Sequence, residues 1–207
     1  METLTEKRRI AVEPLDRGTL QDRVYNQIAG LILDGGIVPG QLVTIQGLAE
    51  AFGVSAMPVR EALKRLTAAN ALDVVSGRSV GIPRLSLDRL GDLRNVRSES
   101  EGTAAAWAAR AIAPASIALL EEQLDRMERS IPASDTPDYL RANRAFHFTI
   151  YRAAGSPTLV SLIEILWLQI SPYFNPCLSG CHPHPQDVGC EVKAAWRCDG
   201  HGRSALR

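Results

Sequence analysis

The apolar positions near the start of the chain repeat at the spacing of an α-helix. They are Leu20, Val24, Ile28, Leu31 and Ile32. Thr19 and Asp22 are residue types that cap a helix N-terminus, and the Gly35-Gly36 pair interrupts the pattern. The pattern therefore predicts a first helix that starts after Thr19 and ends at the glycine pair.

Two short helices are predicted next, on either side of a glycine turn. The first is IQGLAEAF, which has Thr44 at its cap position and stops at Gly53. The second starts after Ser55, a good N-cap residue, and has Pro58 in its first turn, where a missing amide hydrogen costs little. Two short helices separated in this way are typical of a helix-turn-helix.

The second of these helices has a buried face and a basic face. Its apolar stripe consists of Val59, Ala62, Leu63 and Leu66. Arg60, Lys64 and Thr67 fall on the opposite side at i, i+4 and i+7. In the major groove of DNA an Arg can donate two parallel hydrogen bonds to guanine, and a Lys can neutralise a phosphate. Taken alone, the same row is equally consistent with an ordinary solvated helix face.

The segment ALDVVSGRSVGIP predicts a two-stranded hairpin after this helix. It alternates briefly, turns at Ser76-Gly77-Arg78 and resumes with Ser79 to Ile82. A helix, a short helix, a Gly turn, a capped helix and a hairpin thus follow one another in the order of a winged helix-turn-helix. This order favours DNA binding over a merely solvated helix face.

Residues 48–66, LAEAFGVSAMPVREALKRL, and residues 76–86, SGRSVGIPRLS, resemble the winged-helix domain of the GntR family of bacterial regulators. The resemblance implies that Arg60 contacts bases, that Ser55 and the two residues after it contact DNA at the helix start, and that Gly77 enters the minor groove. Many members of that family have Arg-Thr where this chain has Ala56-Met57, so its base-reading surface differs from theirs. The residues predicted to contact DNA are Thr44, Ser55, Ala56, Met57, Arg60, Lys64, Arg65, Gly77, Arg78 and Ser79.

Beyond residue 86 the chain shows helix after helix and little strand pattern. Helices are predicted over residues 87–113, from Pro114, from Asp135 or Thr136 to Ala154, and from Thr158 to about Ile170. We therefore expect a mainly α fold. It would consist of a winged helix-turn-helix at residues 15–85, an all-α bundle for dimerisation and effector binding at 86–174, and an atypical tail at 175–207.

Asn143 and His147 are four residues apart on the third helix of this bundle, so they share one face. An oxygen ligand and a His nitrogen at this spacing can hold the same metal ion. A buried His that is satisfied by a hydrogen bond has the same pattern, and the spacing alone favours it.

The stretch from Arg97 to Glu101 and the segments AFHFTIYRAAGS and LIEILWLQISP resemble the FCD domain, the helical effector-binding domain of the FadR-type branch of the same family. The resemblance implies a small carboxylate effector, often above a divalent metal held by an Asp and a His four apart and by two later His residues. His147 matches the first His, whereas Asn143 replaces the Asp, which weakens metal binding or removes it. Arg97 is the candidate for holding the carboxylate, unless it pairs with Glu101 at i, i+4. The predicted effector-binding residues are Arg97, Glu101, Asn143 and His147, with a divalent metal at Asn143 and His147.

The tail after Pro176 contains all four cysteines and shows no sustained helical period. One interpretation is a zinc site made from Cys177, Cys181, His182 and His184. The interpretation that we prefer is a frameshift near codon 175, because the last two helices that the FCD resemblance implies are not legible there. The helical bundle would then be incomplete.

Charge and hydropathy add two constraints. The 207 residues carry 23 basic and 23 acidic side chains, so nucleic-acid binding must depend on a local basic patch. The apolar runs are too short for a membrane span, and the first ten residues lack the apolar core of a secretory signal, so we expect a cytoplasmic protein without membrane contact.

Together these patterns predict a DNA-binding transcriptional regulator, a repressor that binds operator DNA as a homodimer and responds to a small-molecule effector. The alternative is a metal-dependent enzyme or small-molecule-binding protein built on the helical half. Against catalysis, the sequence shows no nucleophile-base pair, Gly-rich phosphate loop or paired carboxylate motif.

Overall fold

Three helices and a small sheet form the N-terminal part of the computed structural model, which describes residues 19–173. The helices are α1 (Leu20–Leu33), α2 (Ile45–Phe52) and α3 (Ala56–Ala68), and the strands are β1 (Leu42–Thr44), β2 (Asp73–Ser76) and β3 (Ser79–Gly81). This arrangement confirms the predicted winged helix-turn-helix.

Short polar side chains and one glycine set the ends of these helices. The Thr19 hydroxyl accepts a hydrogen bond from the Asp22 amide at 3.2 Å, and the Asp22 carboxylate accepts one from the Thr19 amide at 3.3 Å, which completes a capping box. Thr44 caps α2 by accepting a hydrogen bond from the Gly47 amide at 3.0 Å. Gly53 ends α2 in the left-handed conformation (φ 64°), which glycine adopts without strain, and so turns the chain into α3.

The wing is a three-stranded antiparallel sheet in the order β1-β3-β2. The β2-β3 hairpin confirms the predicted turn, and Thr44 of β1 lies opposite Ser79 of β3. The sequence pattern does not predict β1, because a strand of three residues is too short to show an alternation. Its pairing with β3 ties the wing to the start of α2.

The second domain contains, within the described residues, the helices α4 (Leu87–Ala108), α5 (Pro114–Ser130), α6 (Thr136–Ala153) and α7 (Pro157–Ile170), and then a 3-10 turn at Ser171–Tyr173. This part of the chain is all-helical, as predicted. The end of α4 at Ala108 comes earlier than the expected end at Ala113. Residues 109–111 form turns after the end of α4, and Ala113 is extended (ψ 151°) because Pro114 disfavours helical geometry at the residue before it.

The hydrophobic core runs through both domains. One cluster joins the three N-terminal helices to Leu90, Leu93, Leu168, Ile170 and Tyr173. A second cluster, inside the helical domain, contains Ala104, Phe148, Tyr151, Ile163 and Trp167. Two residues of the predicted α1 stripe lie outside the core, since Leu20 is 49% exposed in the first turn and Leu31, at 37%, lies about 100° around the helix from Ile32. Packing is therefore continuous across the position where the sequence pattern changes near residue 85.

Several sequence-based predictions concern residues outside the described range. They are the first four residues of the 15–85 domain, and the tail at 175–207 with its zinc and frameshift interpretations. Among residues 19–173, none of the helices is both long and apolar enough to cross a lipid bilayer.

Candidate nucleic-acid interface and effector site

The exposed face of α3 carries the residue predicted to contact bases. Val59 and Leu66 are fully buried on one side of the helix, whereas Arg60 is exposed on the other. Within residues 19–173 Arg60 takes part in no ion pair, so its guanidinium is available to a ligand. Lys64 shares this face, and its Nζ lies 2.8 Å from Glu61 Oε1 in an exposed contact with which DNA phosphates can compete.

Arg65 points away from the Arg60 face and toward α1. Its Nη1 lies 2.9 Å from Asp22 Oδ1, and its Cζ lies 3.9 Å from the centre of the Tyr25 ring. Hydrogen bonds from Thr19 and Arg65 hold the pKa of Asp22 below its usual value, so the carboxylate is charged at neutral pH. In this structure Arg65 therefore helps to hold α3 against α1.

The N-terminal end of α3 combines a hydroxyl with apolar side chains. Ser55 occupies the predicted N-cap position, but its side chain makes no capping hydrogen bond. The exposed Ser55 hydroxyl and the first amides of α3 are thus placed to bind a phosphate oxygen. Met57 is 62% exposed and Ala56 is half-buried, so this end of the helix offers thymine methyl groups an apolar contact.

The base of the wing lies beside the start of α2. The Ile45 amide donates a hydrogen bond to the Arg78 carbonyl oxygen at 3.3 Å, and Ser79 is paired with Thr44. The structure therefore brings three predicted DNA contacts, Thr44, Arg78 and Ser79, to one place. At the exposed wing tip, a Cβ on Gly77 would meet no atom within 4 Å, which leaves room for close approach of DNA.

A polar cluster is buried among the helices of the second domain, and we define it as Arg97, Glu101, His147, Tyr151 and Trp167. Arg97 is only 7% exposed, and its Nε donates a hydrogen bond to Glu101 Oε1 at 2.6 Å. Trp167 donates from Nε1 to the same oxygen at 2.9 Å, and the Arg97 Cζ lies 5.1 Å from the Trp167 ring. The i, i+4 pair considered from the sequence is thus formed, and an indole N–H adds a second donor to it.

His147 and Tyr151 complete the polar cluster on α6. His147 Nδ1 lies 3.4 Å from the Tyr151 hydroxyl oxygen, and the His147 ring centre is 5.5 Å from that of Trp167. Burial lowers the pKa of His147, and the Glu101 carboxylate opposes this effect only in part. Burial and the same carboxylate raise the pKa of Tyr151. Both side chains are therefore neutral at neutral pH.

The described residues do not by themselves fit a metal site. Asn143 is half-buried one turn before His147, but residues 19–173 contain no group of three or more His, Cys, Asp or Glu side chains arranged to hold a metal ion. Glu101 is already engaged by Arg97 and Trp167. The metal predicted at Asn143 and His147 thus requires ligands from beyond residue 173.

Two members of the polar cluster, Tyr151 and Trp167, were not among the predicted site residues. Tyr151 follows His147 by four residues, so helical spacing alone places it on the same face. No local signal places Trp167 next to Glu101, because they lie on different helices. The available hint is chemical, since a buried indole N–H needs an acceptor.

Comparison with protein families matches both domains. The family described as bacterial regulatory proteins, gntR family, matches residues 20–82, and the FCD domain matches residues 92–191. The second match extends past residue 174, where the sequence pattern placed the end of the helical domain.

Individual relatives match over both domains as well. The HTH-type transcriptional regulator McbR of Escherichia coli (strain K12) is 33% identical over 165 residues, which cover 80% of this chain and 74% of that protein. The gluconate operon transcriptional repressor of Bacillus licheniformis is 28% identical over 158 residues, 76% of this chain and 63% of that protein. The solved structure of E. coli McbR/YncC superposes with a TM-score of 0.75 at 28% identity and covers 87% of this chain and 84% of that one.

Proposed function

The chain belongs to the GntR family of bacterial regulatory proteins, and from this premise we propose that it is a homodimeric repressor that releases operator DNA when a small carboxylate binds in its helical domain. It is a transcriptional regulator with an FCD domain. The observation that carries the proposal is the exposed face of α3, where Arg60 has no ion-pair partner among residues 19–173. The similarity to a protein named as the gluconate operon transcriptional repressor supports repression over activation.

The proposed DNA complex places α3 in the major groove and the wing along the neighbouring backbone. Arg60 would read a guanine edge, and a bidentate contact of this kind discriminates against a wrong base by about 1–3 kcal/mol. Ser55 and Lys64 would contact phosphates, which position the helix without reading sequence. The wing residues Gly77 and Arg78 would contact the adjacent groove and backbone.

The test is binding of the full chain to the DNA upstream of its own gene, measured by fluorescence anisotropy over a range of salt concentrations. We expect saturable binding that weakens steeply with salt. Arg60→Ala should reduce the preference for this DNA over a scrambled duplex, whereas Arg129→Ala, an exposed arginine of α5, should behave like the wild type. Equal selectivity of the Arg60→Ala and wild-type proteins would contradict the groove assignment.

The polar cluster is the proposed effector site. Arg97 supplies a guanidinium, and His147 and Tyr151 supply neutral hydrogen-bonding groups at its side. An effector carboxylate would take up the Arg97 contact that Glu101 makes in the structure. Addition of acetate, succinate or benzoate to the protein–DNA complex, with the matching amides as controls, tests this site. We expect an acid, but not its amide, to release the DNA, and we expect this release to be weaker in Arg97→Lys. Failure of all three acids to release the DNA would contradict the proposal.

We propose the homodimer because a single α3 helix would read only half of a palindromic operator. Apolar side chains of the helical domain remain exposed in the single chain, including Val96, Trp107, Ile117 and Leu119. Light scattering coupled to gel filtration should give twice the chain mass of 22.5 kDa. A monomer that still binds a palindromic operator with a single transition would contradict this part of the proposal.

A further inference from the structure

A cleft of about 460 Å³ lies between the two domains, separate from the polar cluster. Its walls come from α1 of the DNA-binding domain and from α6 and α7 of the helical domain. The volume falls within the range of roughly 300–1,000 Å³ that is usual for sites that bind small molecules. A ligand in this cleft would touch both domains at once.

The chemistry of the cleft selects an anion with an apolar body. Three arginines of α6 line it, Arg141, Arg144 and Arg152, against a single lining acid, Glu164. Arg144 pairs with Asp34 at the end of α1 at 2.9 Å, and Arg141 pairs with Asp138 at 3.3 Å, so Arg152 is the lining arginine that takes part in no ion pair among residues 19–173. The remaining walls include Leu33, Phe148 and Leu168, which offer an apolar surface. Guanidinium groups beside apolar walls favour an organic carboxylate or phosphate ester over an inorganic ion.

Gly30 adds an independent observation on the α1 side of the cleft. It lies in the middle of the helix, where glycine costs about 1 kcal/mol relative to alanine. A Cβ at this position would meet no atom within 4 Å, so packing within the described residues does not require a glycine. Its absence of a side chain keeps the cleft open and lets a ligand approach the helix backbone.

We propose that this cleft is a second small-molecule site, which binds an organic anion with an apolar body and thereby fixes the DNA-binding domain against the helical domain. The Arg152 guanidinium holds the anionic group, and Leu33 and Phe148 pack against the apolar body. The Tyr25 ring, which also lines the cleft, lies beneath Arg65 of α3 and so links the site to the DNA-reading helix.

The cleft also borders the polar cluster through one shared side chain. Phe148 lines the cleft and packs edge-on against Tyr151 and Trp167, with ring centres 5.4 and 5.3 Å apart. Occupancy of the two sites is therefore expected to be coupled, and by linkage each ligand changes the affinity for the other by the same factor.

The test is calorimetric titration of the full chain with phenylacetate and with phenyl phosphate, and with neutral 2-phenylethanol as a matched probe. We expect one or both anions to bind and the alcohol not to bind, and the tighter anion identifies the preferred head group. Arg152→Gln should weaken binding by about tenfold or more, since a charge-assisted hydrogen bond is lost. Gly30→Leu, which fills the cleft, should abolish binding, and circular dichroism would verify that each variant is folded.

Two control variants separate this site from the polar cluster. Arg129→Gln removes an exposed arginine of α5 that does not line the cleft, and His147→Ala alters the polar cluster. Arg129→Gln should bind the anion within about twofold of the wild type, and His147→Ala should change the affinity by less than Arg152→Gln does. The proposal is overturned if neither anion binds, if 2-phenylethanol binds as tightly, or if His147→Ala abolishes binding while Gly30→Leu retains it.

Discussion

Replacing Glu101 with alanine removes the carboxylate that Arg97 and Trp167 share. In the wild type, Arg97 Nε and Trp167 Nε1 donate to the same oxygen at 2.6 and 2.9 Å. The Arg97 side chain is 9% exposed and that of Glu101 is 21% exposed, so bulk water does not take over these contacts. In the variant, the buried Arg97 guanidinium loses the Glu101 carboxylate, and the Trp167 indole N–H loses this acceptor.

The expected loss is about 3–5 kcal/mol in the free energy of unfolding, which is typical when one partner of a buried ion pair is removed. This is a large part of the roughly 5–15 kcal/mol that stabilises a protein of this kind. Glu101→Gln should cost less, because its amide oxygen still accepts from Trp167. In the double variant Arg97→Met/Glu101→Gln both charges are gone and the amide oxygen still accepts from Trp167, so its loss of stability should be clearly smaller than that of Glu101→Ala.

Urea denaturation followed by far-UV circular dichroism measures these differences. Glu99→Ala, an exposed glutamate on the same helix, is the matched control and should stay within about 0.5 kcal/mol of the wild type. The reasoning is refuted if Glu101→Ala is as stable as Glu99→Ala. It is also refuted if the loss of unfolding free energy in the double variant equals the sum of the losses in its two component single variants, because positions 97 and 101 would then not be coupled by an ion pair.

Three further predictions concern single positions. Gly53→Ala should lower the free energy of unfolding by about 1–2 kcal/mol, because φ is 64° there, and equal urea midpoints would contradict this. Gly30→Ala should instead raise it by about 1 kcal/mol, as its Cβ meets nothing, and a lower urea midpoint would show an unseen clash. Burial lowers the pKa of His147 in the folded chain, so the unfolded chain takes up a proton first as the pH falls below 6.5. The stability that the neutral, buried His147 contributes is therefore complete above pH 6.5 and declines below it. His147→Gln should flatten the pH dependence of the urea midpoint around pH 6.5, and an unchanged slope would mean that His147 does not titrate in this way.

The helix-turn-helix was predictable because its signals are local. Thr19 and Thr44 cap their helices as their position before an apolar repeat suggested, and Gly53 makes the turn between α2 and α3. The basic face of α3 follows from the 3.6-residue period, and Arg60 lies on it, exposed. Each of these features depends on residues that are close together in the sequence.

Contacts between distant segments were not predictable in this way. Arg65 was predicted from the sequence to contact DNA. In the structure its side chain turns toward α1, where it pairs with Asp22 and lies over the Tyr25 ring. Periodicity describes one element, whereas these contacts depend on which elements meet.

The core shared by the two domains connects the proposed effector site in the helical domain to the helices that bind DNA. Leu168 of α7 packs in the same cluster as the helices of the DNA-binding domain, and Arg144 of α6 pairs with Asp34 at the end of α1. Helices α6 and α7 also carry Tyr151 and Trp167 of the polar cluster, so the effector proposed there would displace or stiffen helices that contact α1. Since α1 in turn packs on α3, the DNA-reading helix would move with them. In the proposed dimer, the two α3 helices would have to match half-sites that lie one helical turn, about 34 Å, apart. A small rotation of the DNA-binding domains would change the separation of these helices, so the dimer could release DNA without any change at Arg60 itself.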